Sequence, residues 1–266
     1  MQFLPVLNRN KIHFNNKLLP NNFRCLIIGT SGCGKNVLLQ QMLLIDNFLD
    51  FDNLIFFSTT IKQDEVQLIK EGFENGLTKK GIRNIFENQN NFPQDVDTPS
   101  KMIKYFVKNI TQIPNSKEYY NDDEKISILF SNKSEDILPC DDLPKDKKNL
   151  IIFDDVVNLR NQSIMKSYFC RGRHNNCNTI YISQNYYGLD KDSIRNNCNC
   201  FIFFKLPKRD KDLIYHDLFS NILTDKGYFD QMISQHWSEK YNYIYLDREN
   251  EEINKNLFLF LKNGES

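Results

Sequence analysis

The chain has 266 residues, enough to bury a full hydrophobic core as one domain or as one domain with an elaboration. Its 34 Lys and Arg residues balance 34 Asp and Glu residues, which excludes a global basic field that attracts nucleic acid. A nucleic-acid partner therefore has to be attracted by a local basic patch or by several subunits arranged around it. Aromatic residues make up 13% of the chain, which is typical of a well-packed globular protein rather than a disordered one.

The cysteines indicate a reducing compartment. They lie at positions 25, 33, 140, 170, 177, 198 and 200, without the spacing of a disulfide framework. His174 and Cys177 are the one pair of neighbours suited to zinc, and with no further ligands beside them we do not expect a zinc site. No secretory signal is recognisable, and every apolar run is far shorter than the ~20 residues of a membrane helix. We expect a soluble intracellular protein.

The first half of the chain predicts two buried strands, each followed by a helix. Residues 1–22 are polar and Asn-rich and are interpreted as an N-terminal arm, and residues 23–266 as one domain. The predicted elements are a strand in "RCLIIG" (24–29), a helix in "KNVLLQQMLL" (35–44), a strand in "NLIFFS" (53–58) and a helix at 63–77. Residues 86–125 are polar and contain three prolines, so we expect an insertion of helices and loops there.

The second half predicts further strands and ends in alternating apolar and polar residues. The predicted strands are 125–130, which is weak, 149–155, 178–183 and 199–205. Strands separated by helices or loops favour an α/β fold with a mostly parallel sheet flanked by helices. The alternation at 241–247 and 256–261, with "RENEE" as the turn, predicts a C-terminal β-hairpin that extends one edge of the sheet.

The stretch "GTSGCGKN" (29–36) resembles a phosphate-binding loop, G-x-x-x-x-G-K. Gly29, Gly32 and Gly34 lack Cβ atoms, so successive backbone N–H groups can curl around phosphates. The following helix directs its positive end at the same place, and Lys35 supplies a point charge for the β- and γ-phosphates. The residues predicted to bind the nucleotide are Gly29, Thr30, Ser31, Gly32, Cys33, Gly34, Lys35, Asn36 and Val37.

Two carboxylates follow the apolar run in "LIIFDDVV" (150–157). They are predicted to lie at the carboxyl end of a central strand, where ligands of such sheets bind. Asp154 would hold Mg²⁺ through water, and Asp155 would orient and deprotonate the attacking water. A second carboxylate directly after the metal-binding one favours hydrolysis over phosphate transfer between small molecules. The long interval after Lys35 leaves room for a further strand between the two motif strands.

A polar sensor and a basic cluster come next in the chain. Gln184 follows the next predicted strand, so its amide would lie beside the γ-phosphate and report hydrolysis. Arg171 and Arg173, in "FCRGRHNNCN", are candidates for an arginine finger acting on a neighbouring subunit, with Arg173 favoured. Arg195 is a second candidate, either for that role or for a salt bridge at a subunit interface. The basic run at 205–212 is interpreted as solvated surface, with DNA contact as the alternative.

These motifs in this order, the phosphate loop followed by "FDD", "GRH", "SQ" and "IRNN", resemble the DNA-packaging ATPases of the poxvirus type. That group belongs to the FtsK–HerA superfamily of RecA-like motors. The stretches at 68–81 and 168–205 are most similar to the versions encoded by virophages and Polinton/Maverick-type transposons. The likeness extends from about Phe23 to Leu218.

The resemblance implies a RecA-like (ASCE) P-loop NTPase fold that uses ATP and Mg²⁺. It further implies a ring of five or six identical subunits that pushes double-stranded DNA of any sequence into a preformed capsid at its vertex. Such a protein would be virion-associated or lie in the host cell interior, with no membrane partner.

The chain departs from this group at Asn36, where Ser or Thr usually provides a hydroxyl ligand for Mg²⁺. Two explanations remain open. The side-chain carbonyl oxygen of Asn36 is a hard neutral donor and can take the place of the hydroxyl. Alternatively, relatives often carry Asn directly after that Thr, so one residue is missing here. The alternatives in function are a cellular DNA pump or helicase of the same superfamily and a non-hydrolysing nucleotide-binding structural subunit.

Overall fold

The computed structural model describes residues 19–20, 22–46, 48–110, 116–121, 126–159, 162–221, 223–249 and 252–254. Its strands are Arg24–Ile28 (β1), Asn53–Ser58 (β2), Ser127–Ser131 (β3), Asn149–Asp154 (β4), Cys177–Ser183 (β5), Cys200–Phe203 (β6), Ile244–Asp247 (β7) and Glu252–Asn254 (β8). Its α-helices are Lys35–Leu44 (α1), Asp64–Glu74 (α2), Lys79–Glu87 (α3), Pro99–Ile110 (α4), Ser163–Arg171 (α5), Lys208–Ile214 (α6) and Lys226–His236 (α7). A π-helical turn, Tyr215–Phe219, continues α6.

The eight strands form one sheet in the order β3-β2-β4-β5-β1-β6-β7-β8. The six strands from β3 to β6 in that order are parallel, and β7 and β8 extend the β6 edge as antiparallel strands. The predicted α/β class, the mostly parallel sheet and the hairpin at one edge are confirmed. β5 lies between β1 and β4, which fills the predicted space between the two motif strands.

The sheet is buried on both faces because its central strands are continuous apolar runs. In β1 the side chains alternate between two hydrophobic clusters, with Cys25 and Ile27 in one and Leu26 and Ile28 in the other. Helices α1 to α4 pack on the first face and α5 to α7 on the second. This three-layer arrangement leaves the strand ends as the places where polar side chains can reach solvent.

The predicted insertion at 86–125 contains the end of α3 and all of α4. Ile103 of α4 lies in the same hydrophobic cluster as α1 and α2, so this helix packs onto the body of the domain. The sequence analysis did not identify α3. None of the helices among the described residues is both long and apolar enough to cross a membrane.

The C-terminal hairpin differs in its boundaries from the prediction. β7 begins at Ile244 rather than at residue 241, because Tyr241 has φ 73° and cannot belong to a strand. β8 begins at Glu252, within the segment predicted as the turn. The predicted strand at 256–261 lies outside the described residues, as does most of the predicted arm at 1–22.

A buried amide, Asn149, fixes the start of β4. Its Oδ1 accepts a hydrogen bond from Nδ2 of Asn53 at 2.8 Å, which joins β4 to β2. Its own Nδ2 donates to the carbonyl oxygens of Pro144 at 2.8 Å, Lys147 at 3.1 Å and Asn175 at 2.9 Å. The side chain thus ties β4 to β2 and to the loops before β4 and β5, and it provides a partner for the buried carbonyl oxygen of Asn175.

We expect Asn149→Leu to lower the free energy of unfolding by about 3 kcal/mol, because it removes the partner of the Asn53 amide and of the buried carbonyl oxygen of Asn175. Urea unfolding followed by circular dichroism measures the change. The control is Asn196→Leu, since Asn196 is exposed and its side chain makes one long hydrogen bond of 3.4 Å to Asp192. Equal losses in the two variants would contradict the role assigned to Asn149.

Candidate active site

The phosphate-binding loop connects β1 to α1. Gly32 and Gly34 have φ values of 72° and 107°, which side chains with a Cβ rarely adopt. A Cβ on Gly29 would lie 2.5 Å from Sγ of Cys33 and 2.6 Å from Cβ of Phe204, so this position requires glycine for close packing. The N-terminus of α1 has no side-chain cap and no acidic residue in its first turn. Its backbone N–H groups and positive dipole end are thus open to an anion.

Lys35, the first residue of α1, folds back over the loop. Its Nζ donates to the carbonyl oxygens of Gly29 at 2.6 Å and Thr30 at 2.9 Å. The side chain is half-buried and lines the cavity in front of the loop. The ammonium group is therefore held against the phosphate-binding loop, beside the N-terminus of α1.

Asp154 ends β4 and is 7% exposed. Its Oδ2 accepts hydrogen bonds from Oγ of Ser58 at 2.9 Å and Oγ1 of Thr60 at 3.4 Å. Burial raises the pKa of the Asp154 carboxyl above its usual value of 3.8, although the hydrogen bond from Ser58 opposes this shift. A bound cation would stabilise the charged form, so the environment of Asp154 suits a metal-associated carboxylate.

The sequence analysis missed Ser58 and Thr60. Both follow the apolar run of β2, and β2 pairs with β4 so that Ser58 lies opposite Asp154. The signal in the sequence was the hydroxyl-rich end of "NLIFFSTT", but its meaning depends on which strands are neighbours.

Asp155 and Gln184 come together at the ends of β4 and β5. Nε2 of Gln184 lies 3.5 Å from Oδ2 of Asp155. Asp155 has φ 52°, an unusual backbone conformation for an aspartate, and its carbonyl oxygen accepts from Oγ1 of Thr59 at 3.1 Å. The left-handed turn separates this carboxylate from the buried Asp154. The side chains predicted as the sensor and the base are thus neighbours.

One cavity of about 830 Å³ brings these groups together at the carboxyl edge of the sheet. It is large enough for a nucleotide, since ligand sites commonly measure about 300–1,000 Å³. Its lining includes most of the predicted site, together with residues from the segment between β2 and α2 and from the segment before β7. The lining residues are Ser31, Gly32, Gly34, Lys35, Asn36, Val37, Leu38, Gln41, Thr60, Gln63, Asp154, Asp155, Ile182, Ser183, Gln184, Phe204, Tyr241 and Tyr243.

Asn36 is exposed and lines this cavity, and its Nδ2 donates to Oε1 of Gln63 at 3.3 Å. This contact leaves the side-chain oxygen of Asn36 available as a ligand. The side-chain oxygens around the cavity include the carboxylates of Asp154 and Asp155, the amide oxygen of Asn36 and the hydroxyl of Thr60. Hard oxygen donors of this kind fit Mg²⁺.

The candidate arginine fingers lie far from the cavity of their own chain. Arg171 ends α5 and Arg173 lies in the following 3₁₀ turn, before β5, whereas Gln184 follows β5. A strand rises about 3.3 Å per residue, so the seven residues of β5 separate the two places by roughly 20 Å. Both arginines are exposed, and Arg171 forms an ion pair of 2.8 Å with Asp141. Neither arginine therefore lines the cavity of its own chain.

Arg195 is not available for either role considered for it. Its side chain forms an ion pair of 2.7 Å with Asp217 of the same chain and lies 4.8 Å from the ring centre of Tyr186. The residue is 8% exposed. Its guanidinium therefore stabilises the packing of the π-helical turn against the segment after β5, and a surface role does not fit this burial.

The basic run at 205–212 carries acidic partners in the structure. Lys211 pairs with Asp230 at 2.8 Å, and Asp212 pairs with Lys226 at 2.7 Å. Asp210 is buried and accepts hydrogen bonds from the backbone N–H groups of residues 186 and 187. Ion pairs neutralise part of this surface, which agrees with the solvated interpretation of the run.

Comparisons with known proteins identify the fold. No family model matches the chain, and no curated protein matches its sequence. Among solved structures, the genome packaging NTPase B204 from Sulfolobus turreted icosahedral virus 2 in complex with sulfate is 11% identical, with a TM-score of 0.51 over 90% of this chain and 97% of that chain. The complex of that protein with ATP-gammaS gives 9% identity and a TM-score of 0.47 over 90% and 98% of the two chains. VirB4 of Thermoanaerobacter pseudethanolicus gives 11% identity and 0.47 over 88% of each chain.

At such low identities the likeness to solved structures concerns the fold. The chain has the RecA-like P-loop NTPase fold that the resemblance implies, with β5 between β1, which precedes the phosphate-binding loop, and β4, which ends at Asp154.

We expect Asp154→Asn to raise the melting temperature at neutral pH. Folding raises the pKa of Asp154, so the charged carboxylate destabilises the folded chain at neutral pH. Below the unfolded pKa of about 4 the carboxyl is protonated in both states, and this destabilisation is absent. The gain should therefore disappear as the pH falls below about 4. Differential scanning fluorimetry across pH measures it.

The control is Asp97→Asn. The hydrogen bond from Lys101 lowers the pKa of this exposed carboxyl, so its removal should give no gain at neutral pH. A gain for Asp154→Asn that persists unchanged in acid would contradict burial as its cause.

Proposed function

We propose that this protein is an ATP-driven motor that translocates double-stranded DNA, and that its biological role is to package a viral genome into a preformed capsid. The observation that carries the ATPase is the convergence of Lys35, Asp154, Asp155 and Gln184 on one cavity at the carboxyl edge of the sheet. The order of the motifs supports the motor. The packaging role rests on the resemblance of those motifs, and a solved structure with this fold, at a TM-score of 0.51, is a genome packaging NTPase.

Each residue has a role that follows from its position. Lys35 leaves the loop carbonyls and binds the β- and γ-phosphate oxygens, while the N-terminus of α1 holds the remaining phosphate charge. Asp155 orients water for in-line attack and accepts its proton, and Gln184 helps to position that water. Asp154 and Asn36 would hold Mg²⁺. The chemistry that this ion supplies when bound is neutralisation of charge on the phosphate oxygens.

Strand β5 connects the nucleotide to the neighbouring subunit in this proposal. Gln184 follows one end of β5, and Arg173 precedes the other end in the turn after α5. In a ring, loss of the γ-phosphate at Gln184 would be transmitted along β5 to the arginine that completes the next site. Because Arg171 and Arg173 lie at the opposite edge from the chain's own cavity, catalysis by either requires an oligomer.

DNA would be the cargo rather than a sequence-specific ligand. The formal net charge of zero means that attraction to phosphates must come from basic residues gathered around a central channel. Contacts to phosphates alone carry no sequence information, which suits a pump that moves any sequence. Such binding weakens steeply with salt.

Asn36 favours one alternative function, a nucleotide-binding structural subunit that does not hydrolyse ATP. The loop lacks the hydroxyl that usually binds the metal, and the amide of Asn36 donates to Gln63 instead. A cellular DNA pump or helicase of the same superfamily is the other alternative. Strand separation on a forked duplex would favour a helicase over a packaging motor.

We expect the purified protein to hydrolyse ATP in the presence of Mg²⁺. We also expect duplex DNA to stimulate this hydrolysis. Lys35→Ala should lower kcat/KM at least ~100-fold, because it removes a charge that stabilises the phosphates in the transition state. A coupled phosphate-release assay measures both effects. The control is Lys101→Ala, an exposed lysine of α4 paired with Asp97, which should match the parent. DNA-independent turnover that survives Lys35→Ala would contradict the proposed motor.

Substitutions of Asn36 distinguish a working ligand from a disarmed loop. We expect Asn36→Ala to raise the Mg²⁺ concentration for half-maximal turnover about ten-fold, because an oxygen ligand is lost. Asn36→Thr supplies a hydroxyl oxygen instead and should have the same half-maximal Mg²⁺ concentration as the parent. Titration of turnover with Mg²⁺ at saturating ATP measures this. An inactive parent that gains activity through Asn36→Thr would establish the structural-subunit alternative.

A further inference from the structure

The cavity has an aromatic side that the phosphate chemistry does not use. Phe204 follows β6, and Tyr241 and Tyr243 precede β7, which begins opposite the end of β6. β6 is the neighbour of β1 on one side, whereas β5 and the acidic end of β4 lie on the other. The phosphate loop therefore lies between a side with carboxylates and a side with aromatic rings. A nucleoside triphosphate has the same division, with a charged phosphate chain at one end and a flat base at the other.

Phe204 and Tyr243 form the buried floor of this aromatic side. They are 2% and 4% exposed, and their ring centres lie 5.2 Å apart. The same floor packs against the loop, because a Cβ on Gly29 would lie 2.6 Å from Cβ of Phe204. The positions of the loop and of the aromatic floor are thus linked by direct contact.

Tyr241 differs from this floor because its ring is exposed. It is 56% exposed, although it lines the cavity. Its φ of 73° is unfavourable for a bulky residue, so the backbone holds this side chain in place at a cost in free energy. A Cβ on Gly34 would lie 3.2 Å from Cδ1 of Tyr241, which places the ring against the last glycine of the phosphate loop. The ammonium of Lys240 lies over the same ring, 4.8 Å from its centre.

We propose that Tyr241 stacks on the base of the bound nucleotide, with Phe204 and Tyr243 beneath. This inference rests on the proposed function, since it assumes that the phosphates occupy the loop. The cation of Lys240 covers one face of the ring, and the base covers the other. Stacking on an aromatic ring tolerates any base because every base has a flat π-face. Tyr241 therefore contributes affinity for nucleoside triphosphates in general and not a preference for adenine.

The test compares a ligand that has a base with one that does not. Isothermal titration calorimetry measures the binding of ATP, GTP and inorganic tripolyphosphate, each with Mg²⁺, to the full chain and to its variants. Tyr241→Ala and Tyr241→Gly should each weaken ATP and GTP about ten-fold and leave tripolyphosphate unchanged. Tyr241→Phe keeps the ring and should bind all three ligands as the parent does.

Two variants distinguish the effect of losing the ring from the effects of backbone strain and of a general change in the fold. Tyr241→Gly accepts the positive φ without strain, so a loss in both Tyr241→Gly and Tyr241→Ala is due to the missing ring. Tyr228→Ala is the matched control, because Tyr228 of α7 is 57% exposed and does not line the cavity. It should bind every ligand as the parent does.

The outcomes that overturn the inference differ from the failure of the proposed function. If the parent binds ATP and the ring-less variants bind it equally well, Tyr241 does not stack on the base, and the proposed ATPase is unaffected. If the variants lose ATP and tripolyphosphate to the same extent, Tyr241 shapes the phosphate loop instead. A parent that binds neither ATP nor tripolyphosphate overturns both the inference and the nucleotide-binding function beneath it.

Discussion

The burial of the parallel strands on both faces is the constraint on which the rest of the structure depends. Every side chain from Cys25 to Ile28 of β1 lies in a hydrophobic cluster, and β4 is equally buried until Asp154. Polar chemistry is therefore restricted to the strand ends, and parallel strands place those ends at one edge. Lys35, Asp155 and Gln184 are distant in the chain and close in space for this reason.

The same constraint explains how much the sequence predicts. Continuous apolar runs identified the central strands. The polar residues directly after those runs then identified the glycine-rich loop, the two carboxylates and Gln184, because the ends of parallel strands meet at one edge of a sheet. The contact of Ser58 with Asp154 depends on β2 being the neighbour of β4, which no local pattern encodes. Tyr241 was predicted to begin a strand because alternation with its neighbours concealed its left-handed backbone. Helix α3 was overlooked although Thr78 caps it through Gly81.

The two edges of the sheet divide the proposed function between subunits. The cavity lies at the carboxyl ends of the parallel strands, and the exposed Arg171 and Arg173 lie at their amino ends. The motifs that contain these residues follow one another along the chain. Their sequence does not show which residues lie at the carboxyl ends of the strands and which lie at the amino ends. The buried Arg195 shows the limit of such reasoning, since an arginine next to the motifs serves the packing of its own chain. In the proposed motor, each chain would thus contribute its own cavity and the arginines that complete a neighbouring site.

A structural subunit that does not hydrolyse ATP, the alternative that Asn36 favours, does not explain the rest of the cavity. Asp154 is buried where desolvation raises its pKa, which lowers the stability of the folded chain at neutral pH. Asp155 and Tyr241 both hold positive φ values at the same cavity, and Tyr241 exposes a large aromatic ring. These features are locally unfavourable, and such features gather where a ligand makes use of them. A cavity that no longer bound a ligand would gain stability if these unfavourable features were replaced. Their presence around one cavity therefore favours a working site in which Asn36 is a substitute ligand.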